Sequence, residues 1–332
     1  MLSPFDEASN CLVKKHLHQE KYARLQVLST DSGFTLEKAI RSGVVNSDSA
    51  IGIYAGDAQS YEVFREVFDP VIQEYHGFLQ GEVHRSDFTP VTFADPDPEK
   101  KYILSTRVRV ARNVEGFTFT NNLRLRERQQ LEKTVVVALA GLSEPFSGEY
   151  YDFGFETDKA ILFKKGDRFQ GAAGINADFP QCRGVFYAKD KRFRVWLNEE
   201  DHLRVISQDN SSDLAGVFNH LCSGLAAIEN TLTFARDDRY GYLTSCPTNL
   251  GTSMRAGVHI RLENLNSSRD LLNAIIDKHQ LQLRGTSGEH TDVKDSVFDI
   301  SNKHRLGLSE TEIINGLHGG ILAIIATEKN CK

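Results

Sequence analysis

Cysteines are few in this sequence, and they are not arranged in pairs. Five cysteines occur in 332 residues, and no two of them form a Cys-x-x-Cys pair. An odd, scattered set of thiols argues against a disulfide framework and against a cysteine-ligated zinc site. The pattern favours reduced thiols, as in a cytosolic protein.

Long apolar runs and a basic excess are also missing. No run of 18 apolar residues occurs, and no basic segment leads into an apolar one at the start. We therefore expect neither a membrane helix nor a secretory signal. The formal net charge is −6, whereas general nucleic-acid binders usually carry a basic excess. These absences predict a cytoplasmic protein with no nucleic-acid or membrane partner, and nothing implies an obligate protein partner.

The familiar glycine-rich phosphate motifs are absent. Gly166 and Gly171 have the spacing of a P-loop, but alanines follow them in place of Lys-Ser/Thr. The His-Arg-Asp and Asp-Phe-Gly signatures of protein kinases do not occur either. If this chain binds phosphate, side chains must do so.

What is present suits a two-domain globular protein. The prolines and acids of residues 95–99 discourage regular structure and predict a boundary between residues 1–95 and residues 96–332. Before the boundary the apolar spacing is helical. Thr35 opens a helix that should end at a glycine cap, Ser42-Gly43, and a second helical pattern has Pro70 near a break.

Beyond the boundary the pattern becomes mixed, with period-two and helical stretches. Strands are predicted near residues 102–113, 160–164, 184–188 and 193–197, and helices near 123–142, 214–228, 268–279 and 313–326. In the first strand Ser105, Arg107 and Arg109 share one face, which makes a rigid cationic surface. A solvated edge strand would look the same, so that alternative stays open.

A thiol and a guanidinium lie on one short loop, residues 246–255. Pro247 and Gly251 shape it as a loop and not a helix. The plain alternative for Cys246 is a buried thiol acting as a small apolar residue. If cations lie beside Cys246, its pKa should fall and it should be unusually reactive toward alkylating agents.

Several arginines stand at strand ends or special loops, and acids accompany them. The arginines are Arg107, Arg109, Arg204, Arg255 and Arg284, and the acids are Glu200 and Glu289. A guanidinium fork meets phosphate oxygens bidentately and stays charged. Gathered together, these cations would need a polyanion such as a triphosphate with magnesium, while two carboxylates could hold a flat cation. An exposed acidic turn remains the plain reading of residues 199–201.

Four segments together resemble the phosphagen (guanidino) kinases. They are Cys-Pro-Thr-Asn-Leu-Gly-Thr (246–252), Asn-Glu-Glu-Asp-His-Leu-Arg (198–204), Ser-Thr-Arg-Val-Arg (105–109) and Arg-Gly-Thr-x-Gly-Glu-His (284–290). They occur in family order, and the likeness covers nearly the whole chain. The resemblance implies an α+β protein, with a small all-α N-terminal domain followed by a larger, mainly antiparallel sheet flanked by helices.

The resemblance also implies an activity, the reversible transfer of the ATP γ-phosphoryl group to a guanidino nitrogen. Residues 49–54 look most like the specificity loop of members that act on free L-arginine. The backbone of Ser49, Ala50, Ile51 and Gly52 and the Tyr54 hydroxyl would then bind the amino acid. Glu200 and Glu289 would hold the guanidinium beside a Cys246 thiolate, and catalysis would also use Arg204, Arg255 and Arg284.

The remaining implied roles concern ATP and magnesium. The implied nucleotide-binding residues are Ser105, Thr106, Arg107, Val108, Arg109, Arg204, Arg255, Ala256, Gly257, Val258, His259, Arg284, Gly285, Thr286, Ser287, Gly288 and Glu289. No side chain would ligate magnesium directly, and Glu199 and Asp201 would hydrogen-bond its water shell. Asp48 and Arg168 would pair when the domains close. The chain departs from the family pattern at Ala160, Ser287, Ala50 and Ser253-Met254.

Three alternatives stay open. The substrate could be another guanidino compound, namely taurocyamine, glycocyamine or lombricine. The target could also be an arginine side chain in a protein, because protein arginine kinases share the Cys-Pro-x-Asn-Leu-Gly core. A binding protein without catalytic activity is the third alternative.

Overall fold

The fold is described from a computed structural model, which covers residues 4–154, 168–284 and 295–331. The strand predicted at 160–164 and the position Ala160 lie outside the described residues. So do Gly285, Thr286, Ser287, Gly288 and Glu289.

The N-terminal part is helical, as predicted. Its helices are α1 (Leu12–His16), α2 (Gln19–Leu25), α3 (Leu36–Val45), α4 (Ser60–Val63) and α5 (Arg65–His76). Apolar residues recur at helical spacing and bury one face of each longer helix, as Leu36 and Ile40 do in α3 and Phe68 and Ile72 do in α5. This core continues to Leu250 of the second part of the chain, so the boundary at residues 95 and 96 stays a prediction.

Helix α3 begins where predicted but does not end at Gly43. The Thr35 side chain accepts a hydrogen bond from the Lys38 N–H, and the helix continues to Val45. Gly43 serves a different purpose, since its N–H donates to the Gly52 carbonyl at 3.1 Å. A Cβ at Gly43 would lie 2.8 Å from the Gly52 Cα. Glycine here allows close contact with the following loop and does not cap the helix.

Pro70 does not break a helix either. The interruption falls at Phe64, between α4 and α5, and α5 runs through Pro70. A proline in a helix leaves the carbonyl four residues earlier without its usual partner. That carbonyl belongs to Glu66, and it accepts a hydrogen bond from Lys21 Nζ at 3.0 Å. A lysine on α2 thus replaces the missing donor.

The second part of the chain is built on an antiparallel sheet. The described strands are β1 (Ile103–Arg112), β2 (Gly148–Asp152), β3 (Gly184–Ala188), β4 (Phe193–Leu197), β5 (Leu203–Asp209), β6 (Arg236–Asp237), β7 (Gly241–Tyr242), β8 (Met254–Arg261), β9 (Leu281–Arg284) and β10 (Val297–Asn302). Among the described residues eight strands pair antiparallel in the order β2-β3-β4-β5-β1-β8-β10-β9, and β6 and β7 form a separate hairpin. Strand β1 therefore lies in the middle.

Helices flank this sheet. They are α6 (Leu125–Ala140), α7 (Arg168–Ala173), α8 (Leu214–Glu229), α9 (Glu263–Ser267), α10 (Arg269–Lys278) and α11 (Glu310–Asn330). Helix α8 packs on β1 and β5, and α11 on β8 and β10. Thr106, Val108 and Val110 are fully buried, so the opposite face of β1 presents Ser105, Arg107 and Arg109. The predicted α+β class is confirmed.

The described part of the chain has no helix with both the length and the apolar character that a membrane span requires.

Candidate active site

The sheet register brings four of the predicted arginines together. Arg109 on β1 lies directly opposite Arg255 on β8, and Arg107 lies two residues along β1, on the same face. On the other side of β1, Ala111 is opposite Arg204 of β5. Because cross-strand neighbours lie about 5 Å apart, three adjacent strands form one cationic surface, as the sequence predicted.

A second row crosses the sheet beside these arginines. Ser105 on β1 pairs with His259 on β8, which pairs with Asp299 on β10, and Asp299 pairs with Arg284 on β9. The Ser105 hydroxyl lies 3.4 Å from His259 Nδ1. The Asp299 carboxylate accepts a hydrogen bond of 2.7 Å from Arg255. The fifth predicted arginine, Arg284, thus belongs to the same surface.

Some predicted nucleotide-binding residues have side chains that point away from the cationic surface. Thr106, Val108 and Ala256 are fully buried, and the Thr106 hydroxyl donates to the Ser211 carbonyl at 2.7 Å. The alternation of a strand places these side chains toward the helices. Only their backbone can therefore face a ligand on the cationic surface.

Burial, with the crowding of like charges, lowers the pKa of two of these arginines. Burial, followed by the charges of Arg204, Arg107 and Arg255, holds the pKa of Arg109 well below its usual range. Burial lowers the pKa of Arg255 to about 10, with Asp299 opposing the shift and other arginines adding to it. A cluster of desolvated like charges favours an anionic ligand that restores the charge balance.

The acidic turn after β4 meets this surface through Arg204. The Arg204 guanidinium contacts both oxygens of Glu199, at 2.7 and 2.6 Å, and Glu200 Oε2 at 3.3 Å. Although burial opposes it, the carboxylates of Glu199, Glu200 and Asp201 raise the pKa of Arg204. The acids are thus partly ion-paired with one of the predicted phosphate-binding arginines.

Glu200 is a buried carboxylate with a raised pKa. Burial and the neighbouring Asp201 raise it, against the opposing effect of Arg204. Its Oε1 accepts a hydrogen bond of 3.2 Å from Asn249 Nδ2. Asn249 belongs to the loop of Cys246, so the acid and the thiol loop are directly connected.

Cys246 lies at the start of a short 3₁₀ turn, Pro247–Asn249, and only 5% of its surface is exposed. Its Sγ lies 3.1 Å from Thr248 Oγ1. Burial and the charge of Glu200 raise the pKa of the thiol to about 12. The expected lowering of this pKa is therefore wrong for the described conformation, because burial, followed by the charge of Glu200, disfavours the thiolate.

Asp201 fixes the position of the same loop through hydrogen bonds. Its Oδ1 accepts hydrogen bonds from the Ser245 N–H at 2.7 Å and from Asn113 Nδ2 at 2.8 Å. Its Oδ2 has no hydrogen-bond partner among the described residues. That orphan oxygen is compatible with a hydrogen bond to a water of a hydrated cation. No group of three or more His, Cys, Asp or Glu side chains suited to a metal occurs in the described ranges.

Arg305 is a site residue that the sequence analysis missed. Its guanidinium donates to the Thr248 carbonyl at 3.1 Å and also to Asn249 Oδ1. Its own carbonyl accepts hydrogen bonds from the N–H and the hydroxyl of Thr252, at 2.9 and 3.0 Å. Arg305 thus holds the thiol loop at both ends. It lies about fifty residues from that loop, in no recognisable motif, so only the folded contacts reveal it.

The predicted specificity loop, residues 49–54, is held through its carbonyl groups. The carbonyls of Ala50 and Ile51 accept hydrogen bonds from the N–H groups of Leu12 and Val13, at 3.0 and 3.1 Å. Just beyond the loop, the N–H of Ala55 donates to the Ser245 carbonyl at 2.8 Å. The loop is therefore connected to the residue that precedes Cys246. Tyr54 is only 6% exposed.

Asp48, before this loop, forms an ion pair with Arg168 of α7. Both side chains are more than half exposed. The predicted link between the two parts of the chain is therefore present in this conformation.

Two adjoining cavities share Arg255. One is lined by Ser105, Arg107, His259 and Asp299, and the other by Arg109, Arg204, Glu200, Asn249 and Arg305. The first is suited to a polyanion bound on the sheet. The second places the Glu200 carboxylate next to four guanidiniums, because Arg255 also lines it. A reaction where the two cavities meet would transfer a group between an anion bound in the first cavity and a molecule bound near Glu200 in the second.

Comparisons with known proteins agree with this geometry. Residues 7–73 match the N-terminal domain of ATP:guanido phosphotransferase, and residues 111–331 match the C-terminal catalytic domain. The chain therefore belongs to the ATP:guanido phosphotransferase family, the phosphagen kinases.

Similar proteins differ in the guanidino compound that their names state. An arginine kinase from Penaeus monodon is 43% identical, over 98% of this chain and 95% of its own length. An arginine kinase from Anthopleura japonica is 42% identical over 96% of this chain, which spans 46% of that longer protein. A lombricine kinase crystal structure has a TM-score of 0.91 and 36% identity, and covers 97% of this chain and 93% of its own. The duplicated taurocyamine kinase from Schistosoma mansoni, with bound transition state analog components, has a TM-score of 0.90 and 36% identity over 98% of this chain and 47% of its own.

Proposed function

We propose that this protein transfers the γ-phosphoryl group of ATP reversibly to a guanidino nitrogen of free L-arginine, giving phosphoarginine and ADP. The observation that carries the proposal is the row of Arg109 opposite Arg255, with Arg204 and the raised-pKa carboxylate of Glu200 beside it. Family membership supplies the reaction class.

The cationic surface would bind the triphosphate. Arg107 and Arg255 line the first cavity and Arg109 and Arg204 the second, so a phosphate chain crossing the junction would meet a guanidinium along its length. These side chains stand on paired strands and need little rearrangement when charge develops on the transferring group. Phosphoryl transfer depends chiefly on such positioning and charge stabilisation.

Glu200 would hold the guanidinium of the substrate and accept its proton. The raised pKa, caused by burial and Asp201, brings this carboxyl closer to the neutral range, where a general base is most effective. In the step, the guanidino nitrogen attacks the γ-phosphorus and the bond to the β-phosphate oxygen breaks. The electron pair of that bond leaves with ADP, and the nitrogen's proton passes to Glu200. Glu289, the second predicted acid, lies outside the described residues.

Cys246 would acquire its role when a cation is bound. Burial and the charge of Glu200 raise the pKa of the thiol to about 12, and a guanidinium placed next to the sulfur would favour the thiolate. Magnesium, when bound with the nucleotide, would supply further neutralisation of phosphate charge. Glu199 and the orphan Oδ2 of Asp201 are the groups suited to its water shell.

Free L-arginine is favoured as substrate by the relatives named arginine kinase, at 42 and 43% identity. The lombricine and taurocyamine kinases are 36% identical. A specificity loop tied to α1 and to Ser245 supports a small enclosed substrate over an arginine in a polypeptide.

A substrate panel tests the proposal. Purified protein with Mg·ATP would be assayed for ADP formation with L-arginine, taurocyamine, glycocyamine, lombricine and a denatured basic protein. We expect the highest kcat/KM with L-arginine. Preference for another small guanidine would correct the substrate and keep the reaction class. Phosphorylation of the denatured basic protein, and of none of the small guanidines, would favour a protein arginine kinase. Nucleotide binding without turnover on any of these compounds would refute an enzymatic function.

A further inference from the structure

A second cleft lies apart from the candidate active site, between α3 and the segment that leads into α6. Its polar lining consists of Ser32, Lys38, Arg41, Asn121, Asn122 and Arg124. None of these residues lines the two cavities described above. The cleft is therefore a separate feature that the proposed reaction does not use.

The lining of this cleft is cationic. It carries Lys38, Arg41 and Arg124, and no carboxylate is among the described residues that line it. Arg41 and Arg124 form no ion pair with any described residue. Lys38 Nζ is held by the Gly33 carbonyl at 3.3 Å and by Asn122 Oδ1 at 3.5 Å. The nearby acid Glu127 instead accepts a hydrogen bond from the backbone N–H of Arg124. The cations are thus left without a counter-charge.

The cleft also has an amide without a partner. Both polar atoms of the Asn121 side chain are buried, and neither has a hydrogen-bond partner among the described residues. A buried polar group left unpaired is unfavourable. The neighbouring Asn122 Nδ2, in contrast, donates to Ser32 Oγ at 2.9 Å. An oxygen-rich ligand would supply the acceptor that Asn121 Nδ2 lacks.

The start of α6 adds to the positive potential. Arg124 immediately precedes this 16-residue helix, and the N-terminal end of a long helix carries partial positive charge, which Glu127 in the first turn offsets in part. Three cationic side chains, an unpaired amide and a helix start therefore surround one cleft.

We propose that this cleft binds a compact anion with two or more negative charges, carried by phosphate or carboxylate groups. Such an anion would touch α3 on one side and the segment before α6 on the other. The carbonyl of Ala39, in α3, accepts the N–H of Tyr54 at 2.9 Å, and Ser42 Oγ donates to the Phe169 carbonyl of α7 at 3.0 Å. The bound anion would thus fix the helix that supports the specificity loop.

Calorimetric titration with inorganic pyrophosphate and, separately, with citrate tests the site. Pyrophosphate could also bind the arginines of the active site, so three proteins are compared at one ionic strength. They are the wild type, the Lys38→Gln/Arg41→Gln/Arg124→Gln variant and the Arg109→Gln/Arg255→Gln variant. In the triple variant we expect one binding event to weaken about tenfold or more. The other event should remain in the triple variant and should be lost in the Arg109→Gln/Arg255→Gln variant.

Arg126→Gln is the matched control, because Arg126 stands in the first turn of α6 but does not line the cleft. It should leave the titration unchanged, and an equal loss there would refute a specific site. Binding of pyrophosphate alone would identify phosphate chemistry, and binding of citrate alone would identify carboxylate chemistry. Unchanged titrations in the triple variant, or no cleft-dependent event in the wild type, would overturn the proposal.

A melting curve would check that the triple variant is folded, with Arg41→Gln alone as the milder test. The readout is binding and not turnover, so this result is independent of whether the protein phosphorylates arginine.

Discussion

The cationic side of the candidate active site stands on strands, whereas the acid and thiol side stands on loops. Arg107 and Arg109 on β1, Arg204 on β5 and Arg255 on β8 are placed by sheet register. Glu200 accepts a hydrogen bond from Asn249, and the loop of Cys246 is held by Asp201, which accepts from the Ser245 N–H, and by Arg305, which donates to the Thr248 carbonyl. The first side is fixed by the backbone ladder, and the second depends on individual polar contacts.

The two sides also have opposite electrostatic character. Burial and mutual repulsion lower the pKa of Arg109 and Arg255, while burial and neighbouring acids raise the pKa of Glu200 and Cys246. Each side holds groups that are costly to charge without a ligand. Binding a polyanion and a flat cation together would relieve both, which explains how one site can favour two oppositely charged substrates.

The strand side should give the largest loss. Arg255→Gln removes the guanidinium shared by the two cavities, and we expect kcat to fall on the order of 10³-fold, as for other phosphate-stabilising arginines. Arg261→Gln is the control, because Arg261 is exposed at the end of the same strand. Steady-state rates of both variants measure the difference, and equal rates would contradict the role of Arg255.

The acid on the loop side should give the next largest effect. Glu200→Gln should lower kcat about 10²-fold, the range of a positioned general base. Because the pKa of Glu200 is raised, wild-type kcat/KM should fall with decreasing pH at a midpoint above that of an ordinary glutamate, about 4.3. The variant should lack this acidic limb, and Glu263→Gln should retain it. A wild-type profile without such a limb would remove the general-base role.

Arg305 tests whether the loop side depends on its supports. Arg305→Gln weakens the hold on Asn249, which positions Glu200, and we expect about a tenfold loss of kcat/KM, the value of one hydrogen bond to a charged group. The acidic limb of the pH profile should also shift, which a general loss of folded protein would not cause. Arg305→Lys should recover part of the activity, and Lys303→Gln should behave as wild type.

The smallest effect concerns stability and not rate. His76 at the end of α5 hydrogen-bonds the Pro247 carbonyl at 2.9 Å, and burial lowers its pKa to about 4. A depressed folded pKa means that the neutral ring stabilises the fold above about pH 6.5, and that this contribution is lost as pH falls toward 4. His76→Gln keeps a donor but does not titrate, so the decline in unfolding free energy from pH 7 to 4.5 should shrink by on the order of 2 kcal/mol.

Urea unfolding at the two pH values gives this difference. His18→Gln, at an exposed position, should leave the decline unchanged. A decline in His76→Gln equal to that of the wild type would show that His76 does not carry the effect.

Local pattern predicted the strand side well. The period of two in residues 102–113 anticipated which residues of β1 are buried and which carry the cations, because alternation follows directly from strand geometry. The Ser-x-x-Glu pattern of Ser309 and Glu312, which the sequence shows directly, likewise forms a capping box at the start of α11. Both depend on neighbours a few residues apart.

The predictions that were wrong depend on distant partners. Gly43 was expected to cap the end of α3, but it instead allows close contact with Gly52. Pro70 suggested a break, but Lys21 satisfies the carbonyl that it frees. The pKa of Cys246 was expected to fall because the sequence shows arginines on neighbouring segments. It does not show that the thiol is buried and lies close to Glu200, both of which raise the pKa. Sequence spacing contains none of these contacts.

The contact between Gly43 and Gly52 limits how residues 49–54, the proposed specificity loop, can adapt to another substrate. Because there is no room for even one added carbon between α3 and the loop, the loop backbone cannot move closer to α3. We expect a shift toward bulkier guanidines to require shorter side chains on the loop or a longer loop that bypasses the helix. Engineering of new specificity should therefore vary Ala50, Ile51 and Tyr54 and leave both glycines in place.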